Sequence, residues 1–452
     1  MPGRGSRTLF VEARLKRNTL FVPAFKSLSK DNLSLFLPEQ TRQDGYLRPT
    51  PWFALQNVLS ALPDLPSLHR LHNASTEVAT FLHQNNDLFA RIVDTIIENT
   101  AHERGLFPVV QRDVRQLVII WTEQSRRRQQ QPTEQNEQQE TAGNPSVLDN
   151  LRYLARYGFG RLTPNLGSIS ASTPAAVLCR LLALMSRLRC LVHASFHALV
   201  AKSLQLRIEH LPKKALYIII NTHRLGPSHR PQGIPYTPVD VGPMMWVEEQ
   251  RLLESFFCIV IFYELRKMYA DFSVVSVRSE TFQISSHDTV EDFWKKVFQG
   301  EKGGQLEQIA TTLSWLDGQA GRRENVYSWL ASGPVSTEYR SYYPCYTPLN
   351  DEQWEDEETY IHDYDYHSSH GAMSLGAARL SLTSPLRCVD YAAFRPYGLI
   401  FWSATRMDAL GFWPVFGTGH HMWFALSFVL TEKDWEDLVA RQLDRSFNPI
   451  TM

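Results

Sequence analysis

A chain of 452 residues with 43% hydrophobic content has enough apolar material for two or three domains with sizeable cores. Its 46 Lys and Arg against 47 Asp and Glu leave a net charge of −1, which argues against a dedicated nucleic-acid binder with a broadly basic surface. The five cysteines (Cys179, Cys190, Cys258, Cys345 and Cys388) are odd in number, far apart and contain no CxxC pair, so the pattern predicts buried reduced thiols in a cytoplasmic or nuclear protein.

Residues 1–47 read as a basic, partly disordered segment. Arg4, Arg7, Arg14, Lys16 and Arg17 interrupt any apolar core a secretion signal would need. Residues 48–122 predict a small helical module. Trp52, Leu55, Leu59 and Leu62 recur at helical spacing on one stripe, and Pro63 ends that helix. Leu65, Leu68 and Leu71 begin the next element, and Ser75 is a candidate cap for a third. Leu88, Phe89, Ile92, Val93, Ile96 and Ile97 mark one face of a fourth helix. A fifth opens at Pro108 and carries Val110, Val114, Leu117, Val118 and Trp121.

From Glu123 to Ser146 apolar periodicity stops. The stretch holds seven glutamines and the triplet Arg126 to Arg128, which predicts a disordered linker or insertion over 123–146.

Residues 147–452 predict a larger, mainly helical domain with few short strands. One long helix follows Thr173-Pro174 and runs from Val177 towards Leu204. Arg180, Arg187 and Arg189 inside its most apolar stretch argue against a membrane span. Leu216 to Asn221 is a candidate strand, and Gly226 to Pro243 a loop rich in Pro and Gly. A second long amphipathic helix carries Trp246, Leu252, Leu253, Phe256, Phe257, Val260, Ile261 and Leu265. Shorter helices are expected at 288–298 (with Asp288 and Glu291 as a capping box), 305–316, 325–330 and 431–443.

Two stretches invite a chemical reading. The acidic loop at 351–370 combines eight carboxylates with His362, His367 and His370, but no established metal spacing is matched and a solvated interaction surface is the expectation. Gly417-Thr418-Gly419-His420-His421 lacks the third glycine and the strand-first setting of a dinucleotide site, so it reads as a tight turn. No GxSxG elbow, phosphate-binding loop or kinase signature occurs, and Cys179 and Cys190 read as inert core residues. No catalytic, cofactor-binding or metal-binding residue is assigned.

Three segments together carry a family resemblance. Leu59-Ser-Ala-Leu-Pro-Asp-Leu-Pro-Ser-Leu-His-Arg-Leu-His-Asn-Ala-Ser75, Trp246-Val-Glu-Glu-Gln-Arg251 and Arg395-Pro-Tyr-Gly-Leu-Ile-Phe-Trp402 resemble, in order and spacing, a group of uncharacterised proteins of filamentous fungi with F-box-like helices near the N-terminus. Leu62-Pro63-Asp64-Leu65 follows the hydrophobic helix as in an F-box, whereas Leu47-Arg48-Pro49-Thr50-Pro51 replaces the leading Leu-Pro-x-Glu element.

The resembled group has no established activity, so the resemblance implies architecture; the leading functional expectation is a non-enzymatic protein-binding role, as substrate adaptor of a ubiquitin ligase. The partner would be a Skp-type adaptor of a cullin ligase, met by Trp52, Leu55, Leu59, Leu62, Pro63 and Leu65. No membrane or nucleic acid is expected as partner. The same stripe can instead bury inside the protein, which the degraded leading element favours. An enzyme with a site assembled from distant residues, or a regulatory protein without adaptor activity, are the alternatives.

Overall fold

The computed structural model describes residues 52–98, 106–130, 168–212, 230, 232–271, 287–298, 303–335, 369–380, 384–413 and 419–447. The acidic stretch up to 368, the candidate strand at 216–221, the segment 1–47 and residues 131–146 lie outside them. The chain divides into two compact units, Met1–Asn57 and Val58–Met452. Of the first, only the opening of helix α1 (Trp52–Ser60) is described.

The second unit is predominantly helical. After α1 come α2 (Leu65–Ala74), α3 (Thr76–Gln84), α4 (Asn86–Glu98) and α5 (Pro108–Gln130). Asp64 caps α2 by accepting the Ser67 amide at 2.7 Å, and Ser75 caps α3 by accepting that of Val78 at 3.2 Å. Helix α5 continues to Gln130, eight residues into the stretch expected to be disordered. Local pairing explains the extension. Glu123 binds Arg126 and Arg127 three and four positions on, and buried Gln124 donates to the Glu264 carbonyl at 3.2 Å.

Helix α6 (Ala175–Leu204) follows. Its three arginines tie it to other elements. Arg180 lies 4.1 Å over the Trp121 ring and reaches Glu264 at 2.5 Å. Arg189 reaches Asp64 at 2.5 Å. A two-stranded antiparallel sheet, β1 (Ile208–His210) and β2 (Ile234–Tyr236), pairs Ile208 with Tyr236, so a strand sits inside the expected loop at 226–243.

At the centre stands α7 (Trp246–Asp271), packed by α5, α6 and α9 (Gly303–Ala320). From Trp246 to Phe262 every residue is buried, so this stretch of the helix is enclosed on all sides rather than amphipathic, while Arg266 and Lys267 beyond it are exposed. Its neighbours α8 (Val290–Phe298) and α10 (Val326–Ser332) flank α9. Thr289 and Asp292 form the capping box of α8, one residue later than expected, because Asp288 is engaged by Lys296 at 2.8 Å. Arg187 of α6 closes the end of α10 by donating to the carbonyls of Trp329 and Gly333, each at 2.7 Å, and of Leu330.

The C-terminal part is α11 (His370–Leu380), a chain of short 3₁₀ turns from Pro385 to Phe401, then α12 (Ala404–Ala409), α13 (Gly419–Ser427) and α14 (Glu432–Phe447). Gly398, at φ 63°, makes the left-handed bend between two of these turns, where a Cβ would stand 2.8 Å from the Trp402 ring. No helix among the described residues is long and apolar enough to cross a membrane.

Candidate functional site

The α1–α2 corner splits the Leu stripe between two environments. Leu59 and Leu65 are buried, Leu62 is half-buried and Pro63 is exposed. Leu55, in the first unit, is half-buried, and Trp52 opens α1. Val58, one residue before Leu59, is 55% exposed and faces away from the core. Asp64 fastens the corner from within. Burial pushes its carboxyl up, but the Arg189 charge and the hydrogen bonds from Ser67 and Arg189 outweigh that and hold it below the usual carboxylate range. The cleft between Pro63, Asp64, Leu65, Leu106, Met185 and Arg189 has room for about one water molecule. It is too small for an organic ligand.

A second cluster forms where α2, α3 and α6 meet. His72 lies in the last turn of α2, His83 in the last turn of α3, and Cys179 near the start of α6. The Nε2 atoms of the two histidines are 3.3 Å apart, and Cys179 Sγ lies 3.3 Å from His83 Nε2 and 3.6 Å from His72 Nε2. His83 is exposed, while His72 and Cys179 are half-buried. Asn73 orients the first ring, its Oδ1 accepting from His72 Nδ1 at 3.3 Å while its Nδ2 donates to His69 Nε2 at 3.0 Å. Burial, with the charges of His72 and Arg70, holds His69 below the ordinary histidine range. Partial burial alone pushes the Cys179 thiol up. Cys179 is half-buried rather than a core residue. It belongs to the one group of three or more metal-ligating side chains that converges among the described residues.

A third concentration of polar groups runs along α7, and it is structural. Glu248 accepts from the Met245 and Ser403 amides and from Arg406 Nε, all at 3.0–3.1 Å. Arg251 donates to the Phe401 carbonyl at 3.2 Å, Glu254 accepts from Gln305 at 2.6 Å, and Glu264 accepts from Tyr327 at 2.7 Å. Two segments of the family resemblance, 246–251 and 395–402, thus meet in one core. Of the acidic-loop histidines, only His370 is described. It is half-buried at the start of α11, with its ring edge-on to Trp413 at 5.8 Å.

Near this seam His193 is buried, 3.9 Å from Glu249. Burial, reinforced by His197 and Arg189, lowers it to about 4. The unfolded chain binds a proton on this ring at a pH where the folded chain does not. Stability therefore falls as pH drops from ~6.5 to ~4, by up to ~3 kcal/mol from this group, and is unaffected by it above that window. Urea melts of the wild type and of His193→Gln across that window check this. A slope that the substitution leaves unchanged refutes it.

No protein-family model, curated protein or solved structure matches the chain.

Proposed function

We propose that this is a non-enzymatic, protein-binding protein of the cytoplasm or nucleus, acting as an F-box-like substrate adaptor through its α1–α2 corner. The observation that carries the reading is the placement of Val58, Leu62 and Pro63. They leave apolar surface uncovered at the residues that resemble the F-box junction, while Leu59 and Leu65 anchor that junction from below. A large apolar residue left in water beside a rigid anchor suits a protein partner, and the adjacent cleft excludes a small organic ligand. The partner in this reading is a Skp-type adaptor of a cullin ubiquitin ligase.

Affinity purification of the full chain from its native cell tests the proposal. The Skp-type subunit and the cullin are expected to co-purify with the wild type. The variant Val58→Lys/Pro63→Lys should lose both while melting within about 0.5 kcal/mol of the wild type, as surface changes do. Absence of both subunits from the wild-type eluate, or their full retention by the double variant, overturns it.

A further inference from the structure

The convergence of His72, His83 and Cys179 carries an inference independent of the adaptor reading. We propose that these three side chains form a binding site for a divalent, thiolate-accepting metal ion of the zinc class, with a fourth coordination position left to solvent or an incoming ligand.

Geometry carries the proposal. A tetrahedral centre with metal–N of about 2.0–2.1 Å and metal–S of about 2.3 Å has N···N edges of about 3.3–3.4 Å and N···S edges of about 3.5–3.6 Å. The edges here are 3.3 Å for N···N, and 3.3 and 3.6 Å for the two N···S pairs. The triangle has the size of one face of such a tetrahedron.

Hydrogen bonding accounts for the cluster less well. With Asn73 Oδ1 accepting, the proton of the His72 ring sits on Nδ1, and Nε2 presents a lone pair. The three converging atoms then hold at most two protons, one on His83 Nε2 and one on the thiol, so one edge of the triangle always lacks a donor. A metal ion accepts all three lone pairs at once. Binding forms two metal–nitrogen bonds and one metal–sulfur bond; the thiol proton leaves to solvent, and a proton on His83 Nε2 moves to Nδ1 of the same ring.

The surroundings suit a cation. His72 and His83 each sit in the last turn of a helix, where the carbonyl ends favour positive charge. The bond from His72 Nδ1 to Asn73 is the outer-shell contact that fixes the tautomer of a ligating histidine. All three ligands stand on helices that pack together, α2 on α3 and α2 on α6, which holds the triangle without help from a loop. Exposure of His83 leaves an entry path and places the fourth position at the surface. Three protein ligands with one open position is the arrangement of an exchangeable centre rather than a closed structural one.

Titrating the full-length, reduced protein with Co²⁺ reads the site directly. One equivalent should give the intense visible bands of tetrahedral cobalt and a near-ultraviolet thiolate-to-cobalt band, and Zn²⁺ should abolish both. Cys179→Ser should lose the thiolate band. Asn73→Ala should weaken binding by about 10–100-fold, as removal of an outer-shell partner does, and His83→Ala by more than that. Circular dichroism of the metal-free variants confirms that they are folded. His83→Ala, at an exposed position, decides the matter if Cys179→Ser does not fold. A wild type without tetrahedral cobalt bands, a thiolate band that survives Cys179→Ser, or unchanged affinity in His83→Ala overturns the proposal.

Discussion

Replacing Arg406 with Met is expected to lower stability by about 3–5 kcal/mol, because it leaves Glu248 charged in the core without its counter-ion. Both side chains are essentially inaccessible, and the guanidinium also donates to the Pro243 carbonyl at 2.9 Å and lies 4.6 Å over the Phe196 ring. Adding Glu248→Gln should recover part of the loss. The amide carries no charge to strand, and its oxygen still accepts from Met245 or Ser403. Recovery stays partial because Glu248 now satisfies both of those backbone amides. Urea unfolding of the single and double variants measures the effect. A single-variant loss below about 1 kcal/mol, or a double variant less stable than the single one, contradicts this account of the seam.

Leu59→Asp should cost at least about 3 kcal/mol, combining the ~2–5 kcal/mol of an emptied leucine site with the burial of an unpaired carboxylate. Leu59 is fully buried, whereas its neighbour Val58 faces solvent. A change of one position along the chain therefore separates a folding defect from a binding defect. Val58→Lys should melt like the wild type. If Leu59→Asp melts normally, the helix end is not anchored as described, and the stripe is free for a partner along its whole length.

The contrast between these two positions also marks what could be read from the sequence. Helical spacing located α1 to α5, since Leu, Ile and Val at three and four residues apart can only cover one side of a helix. Cap residues placed helix starts to within a residue, with Ser75 correct and Asp288 one position early. Periodicity could not show that α7 is enclosed on every side from Trp246 to Phe262. Glu248, Glu249, Gln250 and Arg251 look like a wet first turn until the chain near Phe401 and Arg406 covers Glu248 and Arg251, α6 covers Glu249 and Phe107 meets Gln250, and nothing local signals that cover. The His–Cys cluster was hidden for the same reason. His83 and Cys179 are separated by 96 positions, and His72 and His83 stand on different helices, so no fixed spacing marks them. Only His72 falls inside the segment 59–75 that carries the resemblance, and nothing in the sequence ties it to the other two.

The enclosure of α7 has a consequence for how the chain is made. Arg251 donates to a carbonyl 150 positions further on, and Glu248 binds an arginine 158 positions further on. At about 5–20 residues per second of synthesis, those partners leave the ribosome roughly 8–30 s after the helix does. Throughout that interval the apolar residues of α7 invite premature collapse onto α5 and α6, both already made. The Glu248 carboxylate opposes that collapse, since burying it without Arg406 is unfavourable. The charge that locks the finished core thus favours a hydrated first turn of this helix until Arg406 arrives.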